Sequence, residues 1–433
     1  MTNIGSIIGA ILLITLAGIF NGSWNASFSP SANLAVGKNN NPNNEKDVSY
    51  HHSFALFQIY AVIINIPICI YWAGGIQRVS SILSQTPPVS IFLIALFSII
   101  WGVGTLCFGI ACKIAGVGFG TNLSMGIIAI IGTFLPLITE QTLLTPFGGV
   151  ICIGLGICCI GLWLATKALA QRDVDEANSL AASNGSHTAT TEKKHDGESK
   201  FPLSSLDEVE KEEDIIGANL DDDDDKDEQV AEAMVKERDE KPKEKDYSTL
   251  QKILVCLITG ITAVQLQFAF IFGKPITDLA NGKAESLNDV EIPGQTPFGG
   301  SAAIIWLLAI SLGAPVAIIN GILSSPVPLS HSIQAPWWRH VRIILSTSLP
   351  WISHIHIYGL SATSLFPEKV AASIAWPLLM MITNLWALVL SKILGEWKVA
   401  CDKTIRTFVC SVATTMVGLL VLMCSIAVPT TNQ

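Results

Sequence analysis

The stretches WGVGTLCFG (Trp101–Gly109) and WISHIHIYG (Trp351–Gly359) decide the fold. Each reads Trp, six residues, an aromatic, then Gly. Each sits inside a long apolar run, and each is followed by a short break and another apolar run. Trp351 follows Trp101 by 250 residues in a chain of 433. That spacing suggests two related halves, and paired halves around a central cavity are the usual build of a secondary transporter.

Composition agrees with a membrane setting. Half the residues are hydrophobic and 14% are charged, too little polar surface for a soluble chain of this length. Ten runs are long enough to cross a hydrocarbon core of roughly 30 Å. They are Ile4–Phe20, Phe54–Trp72, Ser90–Ala111, Val117–Thr139, Pro146–Leu169, Leu250–Phe272, Ala302–Leu323, Val341–Leu360, Val370–Leu390 and Ile405–Val428. Helices are expected throughout, because lipid offers no partners to backbone groups. The first run is the weakest and frays into Asn21-Gly-Ser-Trp-Asn25; it lacks a basic n-region and reads as a retained helix. The eighth is the most polar, with Ser346, Ser348, Ser353, His354 and His356. The ten cysteines form no framework and read as free thiols acting as small hydrophobes.

The net charge of −9 belongs to one segment. Residues 171–248 hold 25 of the 35 acidic and 11 of the 26 basic side chains, a net −14 that leaves the remainder at +5. Low hydrophobicity and the run Asp221–Asp225 make this segment a disordered acidic loop on composition. It divides the chain into a membrane repeat at 1–170, the loop at 171–248 and a second membrane repeat at 249–433. Five helices per half insert with opposite orientation, the inverted-repeat arrangement. Outside the middle of the loop, one set of connections carries fifteen Lys and Arg; the opposite set has only Arg78, Lys274, Lys283 and Lys369. The positive-inside rule then puts the acidic loop in the cytosol, open to a cytosolic partner, and both termini outside or in a lumen.

The stretch from Trp101 to Ile138 resembles the L-rhamnose/proton symporter family of the drug/metabolite transporter superfamily. The likeness rests on the Trp-Gly-x-Gly start at Trp101, on Phe108-Gly109, and on Gly132-Thr133 with Pro136 nearby. A second stretch agrees through Trp351, Tyr358-Gly359, Trp376 and Gly395-Glu396-Trp397-Lys398. It is best over roughly 100–169 and 341–428 and does not cover 171–248. The family's basic run and Trp-x-Trp-Glu element have no counterpart after Gly22-Ser23-Trp24, and His354 stands where the family tends to carry Gln. The resemblance implies an all-α multi-pass protein, ten helices in a 5+5 inverted repeat, carrying a small sugar such as L-rhamnose by proton symport.

Polar residues deep in apolar helices are the candidates for a transport site, since lipid makes them costly anywhere else. His354 shares a helical stripe with Trp351 and Tyr358. Two aromatics beside an imidazole suit the C–H face and hydroxyls of a sugar. An ordinary His pKa of about 6.5 suits proton loading, which makes His354 the candidate coupling residue. His356 points to another face. Trp24, Asn25, Trp101, Asn122, Trp376 and Asn384 complete the candidate binding set; for the amides and for the two histidines the plain alternative is bonding between helices. Trp72, Trp163 and Trp397 lie near segment ends and read as interfacial anchors. Amides and hydroxyls fit a neutral polyol better than a carboxylate.

No catalytic set appears: there is no GxSxG, HExxH or P-loop, and Gly116-x-Gly118-x-Gly120 follows no strand. The chain is therefore expected to be no enzyme, to need no cofactor or metal and to bind no nucleic acid. Its expected partners are a sugar, protons and the lipid bilayer. The competing readings are a transporter of other metabolites or nucleotide sugars, and a non-transporting membrane scaffold or sensor acting through the acidic loop.

Overall fold

The computed structural model describes residues 4–27, 50–115, 117–189, 247–282, 300–325, 328–366 and 368–428. Among them the first half of the chain forms α1 (Ile4–Ala26), α2 (Tyr50–Trp72), α3 (Ile76–Gln85), α4 (Pro88–Ala115), α5 (Val117–Thr139) and α6 (Pro146–Ala189). The second half forms α7 (Thr249–Ala263), α8 (Gln265–Phe272), α9 (Lys274–Ala280), α10 (Ala303–Leu323), α11 (Leu329–Ile333), α12 (Trp337–Ile343), α13 (Leu349–Ser364), α14 (Glu368–Ile393) and α15 (Asp402–Cys424). No strand occurs among the described residues.

Nine helical stretches among the described residues are long and apolar enough to cross a membrane. They correspond to nine of the ten expected runs. The exception is Val341–Leu360. There the chain forms α12, a π-helical turn over Ile344–Ser348, and then α13, which is only 16 residues long. The turn is tied to its neighbours: Ser27 Oγ donates to the Ser346 carbonyl at 2.8 Å, and Ser348 Oγ to the Phe57 carbonyl at 3.0 Å. π-turns in helices often mark functional sites.

Two helix boundaries expected from the sequence are corrected. The first helix does not fray at Phe20 but runs on to Ala26. Its polar end is satisfied by tertiary and local bonds: Asn21 Nδ2 donates to Thr383 Oγ1 at 3.1 Å, and Trp24 Nε1 donates to Asn21 Oδ1 at 2.7 Å. At the other boundary, α6 carries helix through residues 171–189, which composition assigned to the loop. Arg172 bonds Glu396 at 3.0 Å, and Asp175 accepts from the Cys401 N–H and Thr404 Oγ1 at the start of α15. Negative charge is favourable at a helix N-terminus. The remainder of the acidic segment, 190–246, lies outside the described residues; Leu180–Ser248 forms a separate unit.

The inner helices pack as pairs: α2 against α10, α4 against α7 and α10, α1 against α13 and α14, and α5 against α7 and α14. Apolar burial does not drive such packing in lipid, so close approach does. A Cβ on Gly102 would strike the Gly313 carbonyl, and one on Gly22 would stand 2.8 Å from the Thr383 carbonyl. Helices α6 and α15 meet in the same way, through Gly154, Gly161 and Gly418. Trp163 is 62% exposed, as an interfacial anchor should be; Trp397 is instead buried, packed on Phe408 with the Arg172 guanidinium over its ring. The nine described cysteines are all free.

Candidate functional site

The inner helices leave a cavity of about 70 Å³ between them. That exceeds the roughly 10–15 Å³ that one water needs. α4 contributes Trp101, Thr105 and Phe108, at i, i+4 and i+7 on one face. α2 adds Phe54 and Gln58, α13 adds Trp351 and His354, α14 adds Trp376 and Met380, and α1 adds Asn21 and Trp24. Met125, Ile128, Ala263 and Leu266 close the remaining walls.

The walls are aromatic. Trp101 and Trp351 stack at 5.6 Å between centroids with planes 10° apart. Trp351 also meets His354 edge-on at 6.0 Å and Phe57 at 5.6 Å. Trp24 stacks on Phe57 at 5.1 Å. Trp376 donates its indole N–H to the Ile128 carbonyl at 3.3 Å. Among the described residues none of those lining the cavity is Asp, Glu, Lys or Arg, and His354 is the one titratable side chain.

Five of the nine sequence candidates therefore meet around this cavity: Trp24, Trp101, Trp351, His354 and Trp376. Tyr358 sits just behind it, edge-on to Trp376 at 5.6 Å, and donates its hydroxyl to Gln267 Oε1 at 2.8 Å. Asn122 lies elsewhere, donating to the Leu162 carbonyl and to Thr166 as helix–helix bonding. Asn384 is buried with neither amide atom hydrogen-bonded, two helical turns beyond Trp376 on the stripe Trp376–Met380–Asn384. Asn25 is helical, but its side chain is outside the described residues. His356 turns away, as its spacing from His354 requires, and bonds Asn65 Oδ1 at 3.0 Å. Sequence reasoning missed Gln58, Thr105 and Phe108; the i, i+4 spacing of Phe54 and Gln58 was the available signal.

The cavity lies differently with respect to the two ends of the bundle. A hollow of about 130 Å³ at the end carrying His51 and Ser324 shares Phe54 and Thr105 with it. A hollow of about 100 Å³ at the end carrying Glu140 and Lys274 shares no lining residue with it. An aromatic layer intervenes. Phe270 lines that second hollow, packs on Tyr358 at 5.4 Å and stacks on Trp306 at 5.1 Å. Lys274 and Glu140 stand 4.0 Å apart at the rim.

No family model, no characterised protein and no solved structure matches the chain. The class follows from the helices: this is a multi-pass, helical integral membrane protein.

Proposed function

We propose that the protein is a secondary active transporter of a small, uncharged polar solute, a sugar such as L-rhamnose, driven by proton symport. The observation that carries this reading is the buried aromatic cavity at the meeting point of the two halves, floored by the stacked pair Trp101 and Trp351. These are the two tryptophans that open the matching sequence stretches.

The packing supports a 5+5 repeat with the stretch from Trp337 to Ser364 as the eighth segment. Exchange first with sixth, second with seventh, and so on through fifth with tenth. The pairs α2–α10 and α5–α14 then map onto themselves, while α4–α7 maps onto α1–α13 and α5–α7 onto α1–α14. A twofold relation of this kind suits alternating access around a fixed central site.

Charge bias assigns the His51–Ser324 end to the cytosol, along with the acidic loop, and puts the termini outside or in a lumen. The cavity then faces the cytosol, and the Phe270–Tyr358–Trp306 layer closes it from the other side. The absence of Lys and Arg from the lining among the described residues speaks against a nucleotide sugar, whose phosphates need cations. His354 is the residue proposed to carry the coupled proton.

The test is uptake of labelled pyranoses into proteoliposomes under an imposed inward proton gradient. Saturable, gradient-dependent accumulation of one sugar is expected. Accumulation indifferent to the gradient removes the symport part, and no accumulation of any sugar by folded protein removes the sugar.

A further inference from the structure

We propose that Gln58 is the solute-selecting hydrogen-bonding residue of the central cavity, and that it selects an uncharged ring through a hydroxyl. The inference rests on the transporter reading and goes beyond it by naming the group that discriminates and the ligand group it reads.

Most polar atoms around the cavity are already engaged. Asn21 accepts from Trp24 and donates to Thr383. Thr105 donates to the Gly102 carbonyl at 2.7 Å, and the Trp376 indole to Ile128. One lining atom, Gln58 Oε1, is buried with no hydrogen bond. Gln58 is 1% exposed in an aromatic surround, where an unmet acceptor is costly. A ligand that donates to it removes that cost; one that does not leaves it in place. A site built around such a group therefore discriminates strongly against analogues lacking the donor.

The neighbours restrict the ligand further. An aromatic box alone suits a quaternary ammonium ion. Here, however, Trp101 and Trp351 each spend one ring face on the other, and Trp24 spends one on Phe57. Among the described residues, no carboxylate lines the cavity to balance a cation, and no Lys or Arg to balance an anion. Edge contacts from aromatic rings and one carboxamide acceptor fit the C–H face and hydroxyl edge of a neutral sugar ring.

The experiment measures binding, without a gradient, by quenching of intrinsic tryptophan fluorescence in purified full-length protein. The probes are neutral pyranoses, their singly deoxygenated counterparts, a hexuronate and tetramethylammonium. The variant is Gln58→Met, close to isosteric and without the acceptor, with its unfolding temperature checked against wild type; Gln58→Leu is the second variant should Met fail to fold. Wild type should bind a neutral pyranose, and one particular deoxygenated counterpart should bind about 10- to 100-fold more weakly. The variant should lose the same factor for the parent sugar and lose nothing for that counterpart, a pattern that general damage does not produce. Equal affinities for the parent sugar in wild type and variant, or equal losses for parent and counterpart, overturn the role of Gln58 and leave the transporter reading standing. Wild type that binds the hexuronate or tetramethylammonium in preference, or no pyranose at all, overturns the neutral-sugar reading itself.

Discussion

The indole of Trp101 lies flat against that of Trp351, 5.6 Å between centroids and 10° from parallel. The two residues come from opposite halves of the chain, on α4 and α13, and both line the cavity. The pair joins the halves at the point where a solute is proposed to bind. Truncating either ring should reduce stability and uptake together. In a double-mutant cycle with Trp101→Ala and Trp351→Ala, thermal unfolding in micelles should give a coupling of about 0.5–1.5 kcal/mol. Fully additive losses would mean that the stack contributes nothing of its own.

Tyr358 and Gln267 should behave as a unit. Tyr358 is buried and donates to Gln267 Oε1, and Gln267 is itself wholly buried. Tyr358→Phe leaves that amide oxygen without its donor and should cost about 1–3 kcal/mol. Gln267→Leu should cost less, because it also removes the buried amide nitrogen that has no hydrogen bond, and the double substitution should cost less than the two single losses combined. Because the bond holds the layer between the cavity and the Glu140–Lys274 hollow, the single variants should also raise the solute leak. Unfolding midpoints and passive efflux from loaded vesicles check both parts.

The glycines of the two matching stretches are expected to differ. A Cβ on Gly359 would stand 2.6 Å from the Trp306 indole nitrogen, whereas one on Gly109 would meet nothing within 4 Å. Gly359→Ala should therefore lower the unfolding midpoint by the equivalent of about 1–3 kcal/mol, as overpacking does. Gly109→Ala should be near neutral or slightly stabilising, a helix gaining up to about 1 kcal/mol from the change. Equal effects at the two sites would contradict the packing described.

His354 separates binding from coupling. His354→Gln keeps a hydrogen-bonding side chain in the cavity and removes the titratable group. If the imidazole carries the proton, the variant should still exchange solute but lose gradient-driven accumulation at least tenfold. Wild-type accumulation by His354→Gln would take His354 out of the coupling step.

The sequence made most of this legible through length and pattern. Apolar runs of crossing length marked nine spans because nothing else accounts for them in water. The matched Trp-aromatic-Gly stretches led to Trp101 and Trp351, which do meet. The polar candidates fared worse, for a physical reason: a helix apolar all round has no polar face to show which side looks inward. Asn122 and Gln58 are both amides in such helices, yet one bonds α6 and the other lines the cavity. The eighth segment was legible as helix, but its π-turn depends on partners hundreds of residues away, Ser27 and Phe57. The extension of α1 past Phe20 likewise depends on Thr383.

The measurement that tests the central claim most directly is solute counterflow. Proteoliposomes loaded with an unlabelled neutral pyranose are diluted into a trace of the labelled sugar, with no pH gradient. A carrier that alternates access around one cavity should accumulate label transiently above the external level and then release it, and Trp351→Ala should abolish the overshoot. Label that only equilibrates, in vesicles shown to hold folded protein and across the pyranose panel, would contradict the account.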